Sequence, residues 1–313
     1  MNSEANFPKG GRGEIMVSCY VIDEKILRIF QCFYVLCRLL PIVIFASAMP
    51  ATVWADESKA AESKAIVKSV QLEELTSTEV RDRIASGSTT ILIPIGATEQ
   101  TGPFVALGKH NFRVQKLSDE IARQLGNTLV APVISYVPEG AIEPPVAHMR
   151  YAGTISIPDA AFEAMLEGAA RSFKHHGFRT IVLLGDHGGY KQDLEHVARK
   201  LNHEWSANSS VRVIHLADYY RLSSAGVDAM LKKRGFSDGE IGAHGGLADT
   251  ALTMGVDKNL VRSDLMSVSA KPTVQDGVVG DPRRASSEMG QAGLQLIVDG
   301  SVAAIRTAIK DTQ

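Results

Sequence analysis

The stretch from Ile91 to Asn111 (ILIPIGATEQTGPFVALGKHN) constrains this chain more than any other. It begins as an apolar, β-branched run that reads as a buried strand. It breaks at Gly96 and runs on into a loop carrying one carboxylate, Glu99, and one imidazole, His110. An open α/β sheet keeps its chemistry at strand ends, where loops can present polar and metal-capable groups. Two later stretches share the pattern: TIVLLGDHGGY at 180–190, and GAHGGLADT at 242–250, where the polar cluster precedes an apolar run. The expectation is that all three converge on one metal site.

The remaining periodicity supplies the frame. Helices are expected over 72–85, from Asn111 as cap to Gln124, over 159–175, 190–205, 225–234 and 247–256, and as a closing helix over 285–309. Strands are expected at 91–95, 128–135, 154–157, 180–184 and 211–216, with Pro132 marking an edge or a strand end. Strands alternating with helices imply an α/β fold with a mainly parallel sheet covered on both faces. The loop 136–153, with Pro138, Pro144, Pro145 and His148, is too long for a mere connection and is expected to be functional or disordered.

Composition excludes several function classes. A formal net charge of -2, without a Lys/Arg block, gives no electrostatic reason for a nucleic-acid or anionic-membrane partner. The three cysteines, Cys19, Cys32 and Cys37, all lie in the first forty residues. The rest of the chain therefore has no thiol for a nucleophile, a zinc site or a disulfide. No Gly-x-Ser-x-Gly elbow, phosphate loop or dinucleotide fingerprint is present.

The N-terminal segment reads as an export signal. Arg38 precedes a short apolar stretch, 39–51, followed by Val53-Trp54-Ala55 with small residues where a signal peptidase inspects the chain. Residues 1–55 are expected to be a cleaved signal, 56–70 a solvated leader and 71–313 the domain, which would be exported to the periplasm. The competing reading is a membrane anchor through residues 26–53.

Each candidate site residue has a blander role available. Glu99 could cap a turn, His110 could be a capping or surface residue, and Asp249 could favour the dipole of its own helix. His187, between Gly185 and the pair Gly188-Gly189, is the stronger case, with an anion site at the following helix as its rival. Together, two or three imidazoles and two carboxylates suit zinc, manganese or iron, with no soft ligand on offer. The histidines at 175, 176, 196 and 203 read as surface residues.

Four motifs in order, Pro94 to Gln100, Met149 to Thr154, Gly185-Asp186-His187-Gly188-Gly189 and His244 to Thr250, resemble the creatininase (creatinine amidohydrolase) family over roughly 72–309. The resemblance implies a three-layer α/β/α sandwich with a mainly parallel sheet, one or two divalent ions, zinc foremost, and a homo-oligomer, often a hexamer. It implies hydrolysis of a C–N bond in a small, often cyclic, amide. By position, Glu99 and His187 fall on family metal ligands, and His244 on a histidine of catalytic proton transfer. The chain departs from the pattern at three places: Thr101 stands for a histidine, His110 for an aspartate and Asp249 for a glutamate.

The expected inner sphere is thus Glu99, His110, His187 and Asp249, with His244 catalytic and His148, Tyr190 and Thr101 shaping the substrate pocket. Asp186 is expected to orient His187 through its second ring nitrogen. The function this implies is a metal-dependent amidohydrolase. The alternative is a non-catalytic, exported small-molecule or metal-binding protein on the same scaffold, suggested by the loss of histidine at Thr101.

Overall fold

The order of the four described strands places the site. They pair in the order β2-β1-β3-β4, all parallel: β1 (Thr90–Ile95), β2 (Thr128–Val130), β3 (Thr180–Gly185) and β4 (Arg212–His215). From β1 the chain moves to one side for β2 and to the other for β3. The gap outside the carboxyl ends of β1 and β3 is therefore the topological switch point, where ligands bind in open α/β sheets. This computed structural model describes residues 69–207 and 210–310, all within one compact unit. The predicted signal, 1–55, and nearly all of the leader lie outside the described residues.

Both central strands are buried along their whole length, as an apolar run without alternation requires. Their pleat divides the core into two layers. Leu92, Val182 and Leu184 pack against α2 (Lys109–Leu125), α8 (Leu247–Val256) and α10 (Ser287–Lys310). Ile91, Ile93, Ile95, Ile181 and Leu183 pack on the opposite face against α3 (Asp159–His176) and α4 (Lys191–Glu204). The architecture is a three-layer α/β/α sandwich. Between α4 and α8 lie β4, α5 (Ala217–Arg221), α6 (Val227–Lys233) and α7 (Asp238–Ile241); α1 (Ser77–Ala85) precedes β1, and α9 (Ser263–Val268) follows α8.

Helix α10 is long and apolar enough to cross a membrane by length and composition, yet Leu294, Ile297, Val298, Val302 and Ile305 are core residues. It reads as the core helix of a globular domain. It crosses α8 at backbone contact: a Cβ at Gly290 would lie 1.8 Å from the Ala251 carbonyl oxygen, so only glycine permits that approach.

Four expected elements differ from what forms. Residues 154–157 are extended but bond to two different loops, Ile155 N–H to Thr98 O and Ile157 N–H to Val137 O, so no ladder develops and no strand exists there. Strand β2 stops at Val130 because Pro132 lacks a donor; the chain rejoins the sheet only through an isolated bridge between Ile134 and Ile95. The first helix starts at Ser77 rather than 72, where Thr76 and Glu79 form a capping box. Asn111 does not cap α2, which begins two residues earlier. Its side chain instead ties the β1 exit to the helix, accepting from Ala97 N–H and donating to Thr98 Oγ1.

Candidate metal centre

Glu99 is delivered by the loop that leaves β1. Gly96 allows this loop to lie against α2, since a Cβ there would sit 2.1 Å from Asn111 Oδ1. The Glu99 N–H then bonds Leu107 O at 3.1 Å, which turns its side chain inward, fully buried. The exit of β3 brings Asp186 and His187 alongside, the segment before α8 brings His244, and the first turn of α8 brings Asp249. These residues line a cavity of about 380 Å³ together with Lys109, His110, Arg113, His148, Tyr220, Ser223, Ser224 and Asp228.

The two oxygens of Glu99 face different surroundings. Oε2 lies 3.3 Å from His148 Nε2 and 3.4 Å from His187 Nε2. Glu139 completes this side, with Oε1 3.3 Å from His187 Nδ1. One ligand atom from each of Glu99, Glu139, His148 and His187 can be chosen so that all lie within 4.8 Å of one another. Three carboxylate oxygens here, Glu99 Oε2 and both of Glu139, are buried with no hydrogen bond. Burial, then the neighbouring Glu99 carboxylate, pushes the Glu139 carboxyl up to about 9. Burial also holds His187 down to about 3 and lowers His148, so both rings are neutral, the form that binds metal. Orphaned carboxylate oxygens beside neutral imidazoles fit a divalent cation of the zinc or manganese kind.

Oε1 faces an ionic network in which Arg113 Nη1 is the one nitrogen without a hydrogen bond. It lies 2.8 Å from His110 Nε2 and 3.2 Å from Lys109 Nζ. Lys109 Nζ continues to Asp249 Oδ2 at 3.1 Å. His110 Nδ1 is 2.5 Å from Asp186 Oδ1, Arg113 binds Asp186 through Nε and Nη2, and the Tyr219 hydroxyl donates to Asp186 Oδ2 at 2.6 Å. Burial would raise both aspartates. Lys109 and then Arg113 hold Asp249 well below the carboxylate range, and Arg113 and His110 lower Asp186.

The predicted inner sphere is therefore split. Glu99 and His187 share one pocket with His148, whereas His110 and Asp249 stand on the other side of Glu99. Both nitrogens of His110 are directed at carboxylates, and Asp249 is engaged by Lys109 and by Gly245 N–H. Asp186 does not orient His187; consecutive residues at a strand exit point to opposite sides, and Asp186 goes to Arg113. Gly189 N–H donates to His187 Nδ1 instead, at 3.2 Å.

Tyr190 and Thr101 are not among the residues lining the cavity. The Tyr190 hydroxyl is consumed beneath it, donating to the Ile95 or Gly96 carbonyl and accepting from His187 N–H. Thr101 is buried with its hydroxyl unpaired. His244 lines the cavity: its Nε2–H donates to Gln100 O at 2.9 Å, which leaves Nδ1 with a lone pair 3.9 Å from Glu99 Oε1. Burial, then Lys109, lowers His244 to about 4.

Glu139, Lys109, Arg113 and Gln100 were not singled out by sequence reasoning. Glu139 lies in the long loop 136–153, whose length alone drew notice. Lys109 and Arg113 continue the stripe of Leu117 and Ile121 toward the start of α2, so two cations on a buried face were readable. Gln100 offered no local signal; its amide sits 3.2 Å from His148 Nδ1, a contact made across the fold.

Comparison with known proteins agrees with this geometry. Residues 73–305 match the Creatininase family model, creatinine amidohydrolase. The chain is 25% identical over 263 residues to a creatinine amidohydrolase from Pseudomonas putida, covering 78% of this chain and 99% of that protein. It is 26% identical over 255 residues to a mycofactocin precursor peptide peptidase from Mycobacterium ulcerans, covering 73% of this chain and 89% of that protein. A solved creatininase variant of Zn-Zn type superposes with a TM-score of 0.63 at 25% identity, covering 77% of this chain and 98% of that one. The chain belongs to the creatininase family.

Proposed function

We propose that this protein is a metal-dependent amidohydrolase that cleaves a C–N bond in a small amide, with one divalent ion held by Glu99, Glu139, His148 and His187. The observation that carries this reading is the set of orphaned, buried carboxylate oxygens facing two neutral imidazoles across the switch point of the sheet. Zinc is the favoured ion, supported by the all N/O donor set and by the Zn-Zn form of a related creatininase. When bound, such an ion lowers the pKa of a coordinated water toward neutrality and polarises a carbonyl.

The chain's own residues supply the rest. His244 Nδ1, free and facing the cavity, accepts a proton and returns it to the departing nitrogen; its Nε2–H bond to Gln100 O fixes the tautomer that this requires. The Gln100 side chain, against His148 Nδ1, sets the angle of that ring. Tyr220, Ser223 and Ser224 also line the cavity; both serine hydroxyls donate to the Tyr220 carbonyl and keep lone pairs that accept from a polar substrate. Export to the periplasm and homo-oligomer assembly are part of the same proposal and rest on the N-terminal sequence and on family membership.

Turnover against lactams, hydantoins, formamides and short peptides, with and without a chelator, tests the function. Product that disappears on chelation and returns with zinc is the expected result. His244→Asn should lower kcat by about 10²-fold or more with little change in bound metal. Tight binding of such compounds without product would instead favour a non-catalytic binding protein on this scaffold.

A further inference from the structure

Lys109 is a fully buried lysine at the floor of a charged cavity, and burying an ammonium is costly unless it answers a local excess of negative charge. Its Nζ lies 3.2 Å from Glu99 Oε1 and 3.1 Å from Asp249 Oδ2, between two carboxylates from different parts of the fold. Opposite it, Glu99 Oε2 faces the four-residue cradle and has no hydrogen bond. A carboxylate with one oxygen on an ion cradle and the other on a second positive centre has the layout of a bridge between two cations. In this chain one of the two is covalently attached.

We propose that the Lys109 ammonium permanently occupies the place of a second metal ion, so that the centre is built to take one divalent cation on the Glu99 Oε2 side. The inference rests on the metal reading above. The surrounding donors agree with it. Beside Oε1, His110 has both nitrogens on carboxylates; Thr101, a position where the family pattern has a histidine, offers only a buried hydroxyl and does not line the cavity. Among the described residues the one imidazole there with a lone pair to offer is His244, whose Nδ1 is 3.9 Å from Glu99 Oε1, and Arg113 Nη1 stands 3.6 Å from Asp249 Oδ1 as further positive charge. A second dication would have to enter against both Lys109 and Arg113.

The test is metal counting on the full domain, loaded with excess Mn(II) or Zn(II), desalted and analysed for metal per chain, with electron paramagnetic resonance of the manganese form. The wild type should hold about one equivalent. Its spectrum should show the six lines of an isolated ion. Lys109→Met removes the charge at similar length and leaves Glu99 and Asp249 facing each other. It should take up a second ion and show the broadened spectrum of a coupled pair. About two equivalents in the wild type, or about one in a folded Lys109→Met protein, would overturn the proposal. Should that variant not fold, the wild-type count and spectrum decide alone. A wild type that binds none withdraws the metal reading itself, a pattern distinct from either of these.

Discussion

The two sides of Glu99 are built from the same kinds of residue and are in opposite electrostatic states. On the Oε1 side, Lys109 and Arg113 pair with Glu99, Asp186 and Asp249, and His110 lies between two of these carboxylates. On the Oε2 side, Glu99 and Glu139 face two imidazoles that burial keeps neutral, and three oxygens have no partner. A buried carboxylate costs several kcal/mol unless paired, so the first side can stand alone while the second calls for a cation. The contrast teaches that one side is scaffold and the other is binding site, although both line one cavity.

The comparison breaks first at Arg113. Replacing it with Met leaves Asp186 buried with one cation fewer. The cost should be about 3–5 kcal/mol in urea unfolding, with or without metal present. A loss confined to the metal-loaded protein would mean that the network depends on the ion. Glu139→Gln probes the other side and should do the reverse. The metal-free protein should keep its stability, because the Glu139 carboxyl, pushed up to about 9, is already uncharged near neutral pH, while metal affinity by calorimetry should fall about 10²-fold, about 2.7 kcal/mol. Unchanged affinity would remove Glu139 from the cradle.

The smallest effect is expected far from both sides, at Asp119. Arg123 and Gln71 bond this partly exposed carboxylate and lower its pKa against the upward push of burial. A depressed folded pKa means that the unfolded state binds the proton more readily. The contribution is therefore present above the unfolded value of about 3.9 and is lost as pH falls through the folded value beneath it. Asp119→Asn should cost under about 1 kcal/mol at pH 7 and nothing at the acid end, read by thermal melts across pH.

The layered frame was legible because its signal is local. Apolar runs bounded by glycine give β1 and β3, and 3.6-residue stripes give α2, α3 and α10. Glu99, His187 and His244 were legible for the same reason, standing at fixed offsets from strand exits or a helix start. Glu139 and His148 were not placed together, because a long loop without periodicity is positioned by tertiary contacts alone. One such contact is Ser156 Oγ, which accepts from Glu139 N–H and donates to Gly140 O. The opposite aim of Asp186 and His187 follows from the pleat, but which of them reaches the cradle depends on where Arg113 lies. A residue list can name the carboxylates and imidazoles; only the fold decides which are already paired.

The central claim is that the ion belongs on the Oε2 side of Glu99. An anomalous difference map from crystals of the zinc-loaded domain, recorded at the zinc edge, addresses it directly. The account predicts one peak at about 2.0–2.2 Å from donor atoms of Glu99, Glu139, His148 and His187, with the Lys109 ammonium still between Glu99 and Asp249. A peak between Glu99 and Asp249, with Lys109 displaced into the cavity, would contradict it.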